Sequence, residues 1–343
     1  MDREGQKGPG RIDLPIFLIS GTLLLVGCAG SVQEMPIDQL SEEMSLGIEA
    51  VTVAKRHNGV IPRFNQSKSI ACLKGEFKVR RDIPSALKRG VFARPASYPA
   101  MLRLASASEQ DDSRRDIRGL SIKISNLDGP VLWGKPGTQD FLLNSYPALF
   151  VSTPEEFLSF IRARQTGDEL HFLAQRPNSL SIVSRARQRH LSPLDIRYWS
   201  TVPFLLGENG GQVVKYSVTP CSDYTTATPI DAGENQLRAA VKAHLRQGAA
   251  CFDFGVQRQV DPNTMPVEDP TVIWDEKISP FETVATILVE DQEFDDPGSL
   301  AACERISFNP WQSLPAHEPL GRMNRVRRQV YDRAARLRNE EQR

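Results

Sequence analysis

Apolar and polar residues alternate along several stretches of the chain, a pattern typical of β-strands with one face in a core and the other in water. The clearest case is Ala71–Val79, in which Leu73, Phe77 and Val79 alternate with lysine and glutamate. Cys72 lies in the same stretch, and we expect it to be a core residue. Further strands are predicted at Pro99–Ala105, Arg118–Ser125, Asp140–Val151, Val213–Thr219, Cys251–Arg258 and Thr283–Asp291.

Other stretches carry apolar residues three and four positions apart, which predicts amphipathic helices. One such helix runs from Pro154 to Arg164, with Thr153 as its N-cap and Glu156 at its third position. Helices are also predicted at Ser41–Arg56 and Asn235–Gln247, and residues 167–200 are predicted to be mostly helical. The order of strands, a helical block, more strands and then helices indicates an α+β domain around an antiparallel sheet or barrel.

The last predicted helix, Gly321–Arg338, combines an apolar stripe with candidate chemistry. Its apolar stripe comprises Met323, Val326, Val330, Ala334 and Leu337. Tyr331 borders the stripe, and Arg327 lies four residues earlier on the same side, so its guanidinium can reach the phenol oxygen. A cation there favours the phenolate, which is a metal ligand. Arg336 and Arg338 follow, close enough to meet the acidic edge of whatever Tyr331 holds. The alternative is a helix whose basic face simply meets solvent.

Composition adds little to this picture and excludes some functions. Of the 343 residues, 40% are apolar and 24% are charged, which is typical of a soluble globular protein. Lys and Arg together number 42, as do Asp and Glu, so the net charge does not point to nucleic acid as a partner. No Cys or His spacing suggests zinc. The sequence leaves open the oligomeric state and the disulfide pairing of Cys72, Cys221, Cys251 and Cys303.

The first residues differ in character from the rest. Leu14–Cys28 is a mainly apolar, uncharged run of 15 residues, too short for a transmembrane helix and of the right size for a signal-peptide core. It ends in Leu-Val-Gly-Cys, which resembles a bacterial lipobox in which Cys28 is lipidated and becomes the mature N-terminus. Ala29 after the cysteine favours the outer membrane. The alternatives are an uncleaved anchor and a buried strand.

We therefore expect a signal peptide at residues 1–28, a tether at 29–40 and one globular domain at 41–343. The protein would lie on the periplasmic side of the cell envelope and would contact the membrane through its lipid anchor only.

Five stretches of the chain form an ordered set of motifs. They are Ile61–Gln66 before the first strand; Met101–Ala105 with Arg115–Lys123; Asn144–Phe150 followed by Thr153 and Phe157; Gln257 through Asp269, Trp274 and Pro280; and the R-x-x-x-Y of the last helix. Read together and in this order, they resemble the haem catalase superfamily. The resemblance covers about residues 57–338. It implies an antiparallel β-barrel of the catalase type with surrounding helices, a C-terminal proximal haem helix and one haem b.

Carried over residue by residue, the resemblance implies a role for six residues in binding the haem or its iron. Tyr331 would be the axial ligand of the iron, as in catalases, and Arg327 its hydrogen-bond partner. Arginines suit the planar carboxylates of the two haem propionates. The propionate positions are Arg63, Arg103 and Arg338, and Phe150 matches an aromatic near the haem face.

The opposite face departs from the family pattern. Where the family has a catalytic histidine, this chain has Gln66, or Ser67 in another register, and the distal asparagine position falls on Asn144 or Ser145. A general base is needed to move a proton between the two peroxide oxygens, and a carboxamide cannot take that proton near neutral pH. Gln66 and Asn144 are therefore the candidate catalytic residues of a pocket with weak catalase activity at most.

Two remaining expectations concern histidine and function. His57 precedes the pocket segment, and the other histidines are expected at the surface or at helix caps, namely His171, His190, His244 and His317. We expect a haem-dependent peroxidase, or an enzyme converting organic hydroperoxides, that acts on peroxide or lipid hydroperoxide under oxidative stress. The alternatives are a haem-binding or haem-sensing protein without turnover and a haem-free interaction scaffold.

Overall fold

The computed structural model describes residue 1, residues 34–57 and residues 59–340. The chain separates into two units, Met1–Glu34 and Met35–Arg343. The first is described only at its two ends, so the expected signal peptide and the lipidation of Cys28 lie outside the described residues. Within the described residues, no helix is both long enough and apolar enough to cross a membrane. The fold below is that of the second unit.

The second unit is an α+β domain, as predicted. Its helices, in the described part of the chain, are α1 (Ile37–Ala54), α2 (Pro154–Thr166), α3 (Glu169–Ala174), α4 (Pro177–Ala186), α5 (Gln236–Gln247), α6 (Pro297–Arg305) and α7 (Gly321–Glu340). Its strands are β1 (Lys68–Val79), β2 (Ser97–Ser106), β3 (Arg118–Ser125), β4 (Thr138–Asn144), β5 (Tyr198–Trp199), β6 (Phe204–Leu206), β7 (Gln212–Pro220), β8 (Ala250–Arg258) and β9 (Glu282–Val289).

The strands form an antiparallel barrel. Neighbours along the sheet follow the order β5-β4-β3-β2-β1-β9-β8-β7-β6. Because β5 pairs with both β4 and β7, eight of the described strands close into a ring, and β6 adds to one end of β7. Closure leaves those strands without free edges. The predicted antiparallel barrel is thus confirmed.

Alternation of apolar residues places one face of each strand inside the barrel, as predicted for β1. Phe77 on β1, Phe141 on β4 and Phe254 on β8 are all buried, and their ring centroids lie 4.8–6.2 Å apart. Tyr216 on β7 joins them, 5.3 Å from Phe141. Aromatic rings therefore fill the barrel interior, and any ligand site must lie outside it.

A second apolar cluster lies between α1, α2 and α7. Its members are Leu40, Met44, Ile48, Val51, Phe64, Leu158, Ile161, Val326 and Val330. Ion pairs border it, since Arg333 on α7 lies 2.8 Å from Glu42 and 3.1 Å from Glu49 on α1. The helix α1 begins at Ile37, four residues before the predicted start, so the expected tether is helical at its end.

Three other boundaries differ from the prediction. The strand expected to reach Val151 ends at Asn144, because the chain turns at Ser145, whose N–H donates to Arg118 O, and Pro147 lacks an N–H. Residues 187–200, which were expected to be mostly helical, are not helical, and within this range the short strand β5 closes the barrel. The helix α6 was not predicted, although Asp296 caps it by accepting from two backbone N–H groups.

Two disulfides link distant parts of the domain. Cys72 on β1 bonds to Cys303 on α6, and Cys221 bonds to Cys251 at the start of β8. The prediction of Cys72 as an ordinary core residue was wrong: its side chain leaves the barrel on the face toward α6 and is half-buried in this cross-link.

Candidate functional site

One cavity, of about 290 Å³, lies between the barrel wall and the helices packed on it. This volume is near the lower end of the range of ~300–1,000 Å³ typical of ligand pockets. The apolar part of its lining includes Met44, Ile48, Phe64, Ala148, Leu149, Phe150, Phe157, Ile182, Val183, Ala186, Val202, Phe308, Met323, Val326, Val330, Ala334 and Ala335. Its lining also includes the eight residues to which the resemblance gave a role toward iron, haem or peroxide: Arg63, Gln66, Arg103, Asn144, Phe150, Arg327, Tyr331 and Arg338.

Helix α7 supplies one wall of the cavity. Arg327 Nη2 donates to the phenol oxygen of Tyr331 over 3.2 Å, as the four-residue spacing predicted. Arg327 is itself held by Asn324, whose side-chain oxygen accepts from Nη1 over 2.9 Å. Asn324 is buried, and its amide donates to the carbonyl oxygens of Pro203 and Leu320. Sequence reasoning missed Asn324, although its position three residues before Arg327 places both on one helix face.

The two arginines that follow Tyr331 have different surroundings. Arg338 lines the cavity and is only 7% exposed. Arg336 is exposed and pairs with Asp332 over 2.9 Å, so the expectation that it meets the ligand was wrong. A helix turns about 100° per residue, which puts Arg338 nearly above Tyr331 and Arg336 well to one side.

Arg63, Arg103 and Arg338 all line the cavity and lie close together, and they are called the arginine cluster below. Arg103 is 2% exposed, and the Nε of each of the three is buried without a hydrogen-bond partner. Burial, together with the nearby charge of Arg63, lowers the pKa of Arg103 to about 9 and that of Arg338 to about 9. Burial likewise lowers the pKa of Arg63. Unpaired buried donors of positive charge call for an anionic ligand.

A backbone carbonyl holds each guanidinium of the arginine cluster. Arg63 donates from Nη2 to Glu304 O over 3.1 Å and to Ile306 O over 2.8 Å. Arg103 donates from Nη2 to Gln66 O over 3.0 Å, and Arg338 from Nη1 to Ala334 O over 3.1 Å. The remaining N–H groups are thereby oriented before any ligand binds.

Gln66 and Asn144 lie together on the barrel side of the cavity. Gln66 Nε2 donates to Asn144 Oδ1 over 3.1 Å, while Gln66 Oε1 is buried without a partner. The structure thereby selects between the alternatives left open by the sequence. Ser67 and Ser145 bond elsewhere, Ser67 Oγ accepting from Gln110 and Ser145 Oγ from Arg118 N.

Gly119 gives the side chain of Gln66 its space. A Cβ at Gly119 would meet the end of the Gln66 side chain, so any other residue here would push the amide out of this position. The backbone of Gln66 is left-handed, with φ 59°. A residue other than glycine adopts this conformation only where its surroundings hold it.

The histidines lie away from the cavity. None of the described residues that line it is His, Asp or Glu. The expectation that His244 and His317 are surface or capping residues was wrong, because both are fully buried. His317 lies within the barrel core, where its Nε2 accepts from Val91 N over 3.0 Å and its Nδ1 lies 2.8 Å from the Tyr216 oxygen.

Comparison with known proteins shows which proteins share this fold. No family model matches the chain, and neither does any curated protein. Among solved structures, a fungal catalase superposes with a TM-score of 0.65 at 17% identity, over 83% of this chain and 60% of the catalase. The fold is that of the catalases.

Two further structures agree. A bacterial catalase superposes with a TM-score of 0.65 at 19% identity, over 90% of this chain and 62% of its own. Catalase A from Saccharomyces cerevisiae gives 0.63 at 17% identity, over 85% and 64%. This chain thus spans about three fifths of the length of these catalases.

Proposed function

We propose that this protein binds haem b in the cavity with Tyr331 as axial ligand. It acts on peroxides as a peroxidase, or as an enzyme converting organic hydroperoxides, with weak catalase activity at most. One observation carries the proposal: the Arg327 and Tyr331 pair lies in the same cavity as the buried arginine cluster. A phenol that can bind iron and guanidiniums that can bind two carboxylates are what a haem requires of a protein.

The residues present fit this cofactor. Haem is a flat apolar ring with two carboxylates at one edge, and the cavity combines an apolar lining with the positive charge of the arginine cluster. The three partnerless Nε donors need acceptors, which propionate oxygens would supply. When bound, the haem supplies the iron at which the oxygen-oxygen bond of a peroxide is broken. Burying such donors with no acceptor at all would cost folding free energy.

The chain's own residues supply the other interactions that the cofactor and the peroxide need. Arg327 places a positive charge 3.2 Å from the Tyr331 oxygen, where it would complement the negative charge of a phenol oxygen that ligates a metal. The arginine cluster would hold the ligand through its carboxylates. Gln66 offers a buried carbonyl oxygen and, with Asn144, would supply a polar contact for a peroxide in the cavity.

Proton transfer is the step this pocket performs poorly. Neither Gln66 nor Asn144 can accept a proton near neutral pH, and the described lining contains no carboxylate or imidazole. General acid-base help typically contributes about 10²- to 10⁴-fold in rate. The arrangement therefore suits slow chemistry on peroxides, including lipid hydroperoxides, better than fast dismutation of hydrogen peroxide.

The proposed location is the periplasmic side of the cell envelope, with Cys28 carrying a lipid anchor in the outer membrane. Two disulfides in the domain support an oxidising compartment. A protein anchored in this way would meet lipid hydroperoxides directly.

The test is the absorption spectrum of the full chain, purified in detergent from haem-replete cells, before and after peroxide is added. We expect a Soret band that peroxide shifts, and we expect Tyr331→Phe to abolish or displace it. Tyr146→Phe is the matched control, because Tyr146 also lines the cavity without contacting Arg327 in the described structure. A protein without a Soret band would overturn the proposal and leave the haem-free interaction scaffold.

The lack of a base in the described lining favours one second candidate, a haem-binding or haem-sensing protein without turnover. It predicts a stable ferric spectrum that peroxide only bleaches. Consumption of an organic hydroperoxide with reductant present, at more than one equivalent per haem, separates the two functions.

A further inference from the structure

The Cys72–Cys303 disulfide lies directly behind the arginine cluster. Cys72 on β1 is opposite Arg103 on β2 in the strand register, and residues opposite one another in an antiparallel pair project from the same face. Cys303 is 1% exposed and closes the cross-link from α6. Glu304 follows Cys303 in the sequence. The disulfide therefore holds Glu304 close to Arg103.

Glu304 reaches the arginine cluster from outside the cavity. Its Oε1 lies 3.7 Å from Arg103 Nη2, and its Oε2 lies 3.8 Å from Arg63 Nε. Its side chain is 34% exposed, and it does not appear among the described residues that line the cavity. The carboxylate and a bound ligand would thus contact opposite sides of the same guanidiniums.

What Glu304 contributes is charge more than position. The guanidiniums are already held by the carbonyl oxygens described above, which belong to the backbone and persist if the carboxylate is removed. At nearly 4 Å, the two ion pairs are too long for good hydrogen bonds. The carboxylate instead neutralises one of three positive charges, so the arginine cluster carries an excess of two.

We propose that Glu304, fixed by the Cys72–Cys303 disulfide, is a specificity-determining residue of the ligand site. It sets the charge of the arginine cluster so that a flat, apolar ligand with two carboxylates balances it. This inference rests on the proposed function and adds the number of ligand carboxylates that the site matches. The disulfide keeps the half-exposed Glu304 carboxylate from moving into solvent. The net charge of Glu304 and the arginine cluster therefore stays constant.

The experiment measures binding of metal-free protoporphyrin, a dicarboxylic acid, and of its dimethyl ester to the full chain by fluorescence titration. Glu304→Gln removes one negative charge and keeps the backbone anchors. We expect it to bind the diacid about three- to tenfold more tightly at low salt, with most of the gain lost in high salt. Binding of the uncharged diester is expected to stay unchanged.

Glu282→Gln is the matched control. Glu282 pairs with Arg258 over 2.9 Å, has a side chain 28% exposed, and lies on β9 outside the described lining of the cavity. This substitution also removes one carboxylate charge from an ion pair with arginine, but at a position outside the described lining of the cavity. We expect wild-type affinity for both probes.

Removing the cross-link tests the role of the disulfide. We expect Cys72→Ser with Cys303→Ser to shift diacid binding in the same direction as Glu304→Gln, and to add nothing when combined with Glu304→Gln. Additive effects of the two changes would overturn the part assigned to the disulfide.

The outcomes for the two proposals are distinguishable. If wild-type protein binds ferric haem but Glu304→Gln binds the diacid no more tightly, the role of Glu304 is wrong and the haem proposal stands. If wild-type protein binds neither ferric haem nor the metal-free diacid, both proposals are wrong. An equal gain for the diester would show a change of shape, not of charge, and would also overturn the inference.

Discussion

Gln66 Nε2 donates a hydrogen bond to Asn144 Oδ1 over 3.1 Å, joining the segment before β1 to the end of β4. The bond fixes which end of the Gln66 amide faces Asn144 and leaves Oε1 buried and free. Under the proposed function, the group that would face a peroxide is thus an oriented acceptor that cannot take a proton. Two predictions follow from this geometry.

Replacing Gln66 by histidine should raise the rate of hydrogen peroxide dismutation. An imidazole can take and return the proton that a carboxamide cannot, and such help is typically worth about 10²- to 10⁴-fold. Histidine also tolerates the left-handed backbone at this position better than most residues. Oxygen release by haem-loaded protein measures the effect, with Gln66→Asn as the control that keeps a carboxamide. A Gln66→His protein that loads haem but dismutates peroxide no faster would contradict this account.

Replacing Gly119 by alanine should disturb the site without unfolding the domain. The added Cβ would meet the far end of the Gln66 side chain, at Oε1, and not the backbone. We expect the Gln66 and Asn144 bond to be lost and the affinity of a small ferric ligand such as cyanide to change severalfold. Thermal stability should fall by only about 1 kcal/mol, as in a mild overpacking. A large loss of stability with unchanged cyanide affinity would argue against this reading of Gly119.

Replacing Arg327 by glutamine should weaken binding of ferric haem. It removes a positive charge 3.2 Å from the phenol oxygen, and hydrogen bonds to charged groups are worth about 1.5–3 kcal/mol. We expect about a 10- to 100-fold loss of affinity and a shifted Soret band. Arg328→Gln is the control, since Arg328 lies over the rings of Trp133 and Trp311. Equal effects of the two substitutions would remove the special role of Arg327.

The sequence predicted local geometry well. A four-residue spacing on a helix is enough to bring Arg327 to Tyr331, because helix geometry is regular. The same rule, applied with the angle of about 100° per residue, also shows why Arg338 lines the cavity and Arg336 does not. The alternating pattern likewise predicted most strands of the barrel, although β5 and β6 are too short to leave a periodic signal.

Contacts between distant segments were harder to predict. Arg63, Arg103 and Arg338 come from three separate segments, and only the resemblance to catalases suggested that they meet. Nothing local in the sequence pairs Cys72 with Cys303, since 231 residues separate them and the pairing depends on how α6 packs on β1. Glu304 was missed for the same reason.

The last prediction concerns stability at acid pH. Burial lowers the pKa of His317 from 6.5 to about 3. Its Nε2 accepts from Val91 N, so the single ring proton is on Nδ1 and is donated to Tyr216. Because the unfolded chain takes up a proton near pH 6.5 and the folded chain only near pH 3, unfolding binds a proton between these values. Stability contributed by neutral His317 is therefore present above pH 6.5 and is lost as the pH falls toward 3.

His317→Gln isolates this contribution, because a carboxamide does not titrate. The free energy of unfolding of wild type, minus that of the variant, should shrink by about 1.4 kcal/mol per pH unit between pH 6 and pH 4. Urea unfolding at several pH values measures it. The control is His171→Gln, the same substitution at an exposed histidine. A difference for His317→Gln that does not change with pH would mean that the buried imidazole is not held neutral.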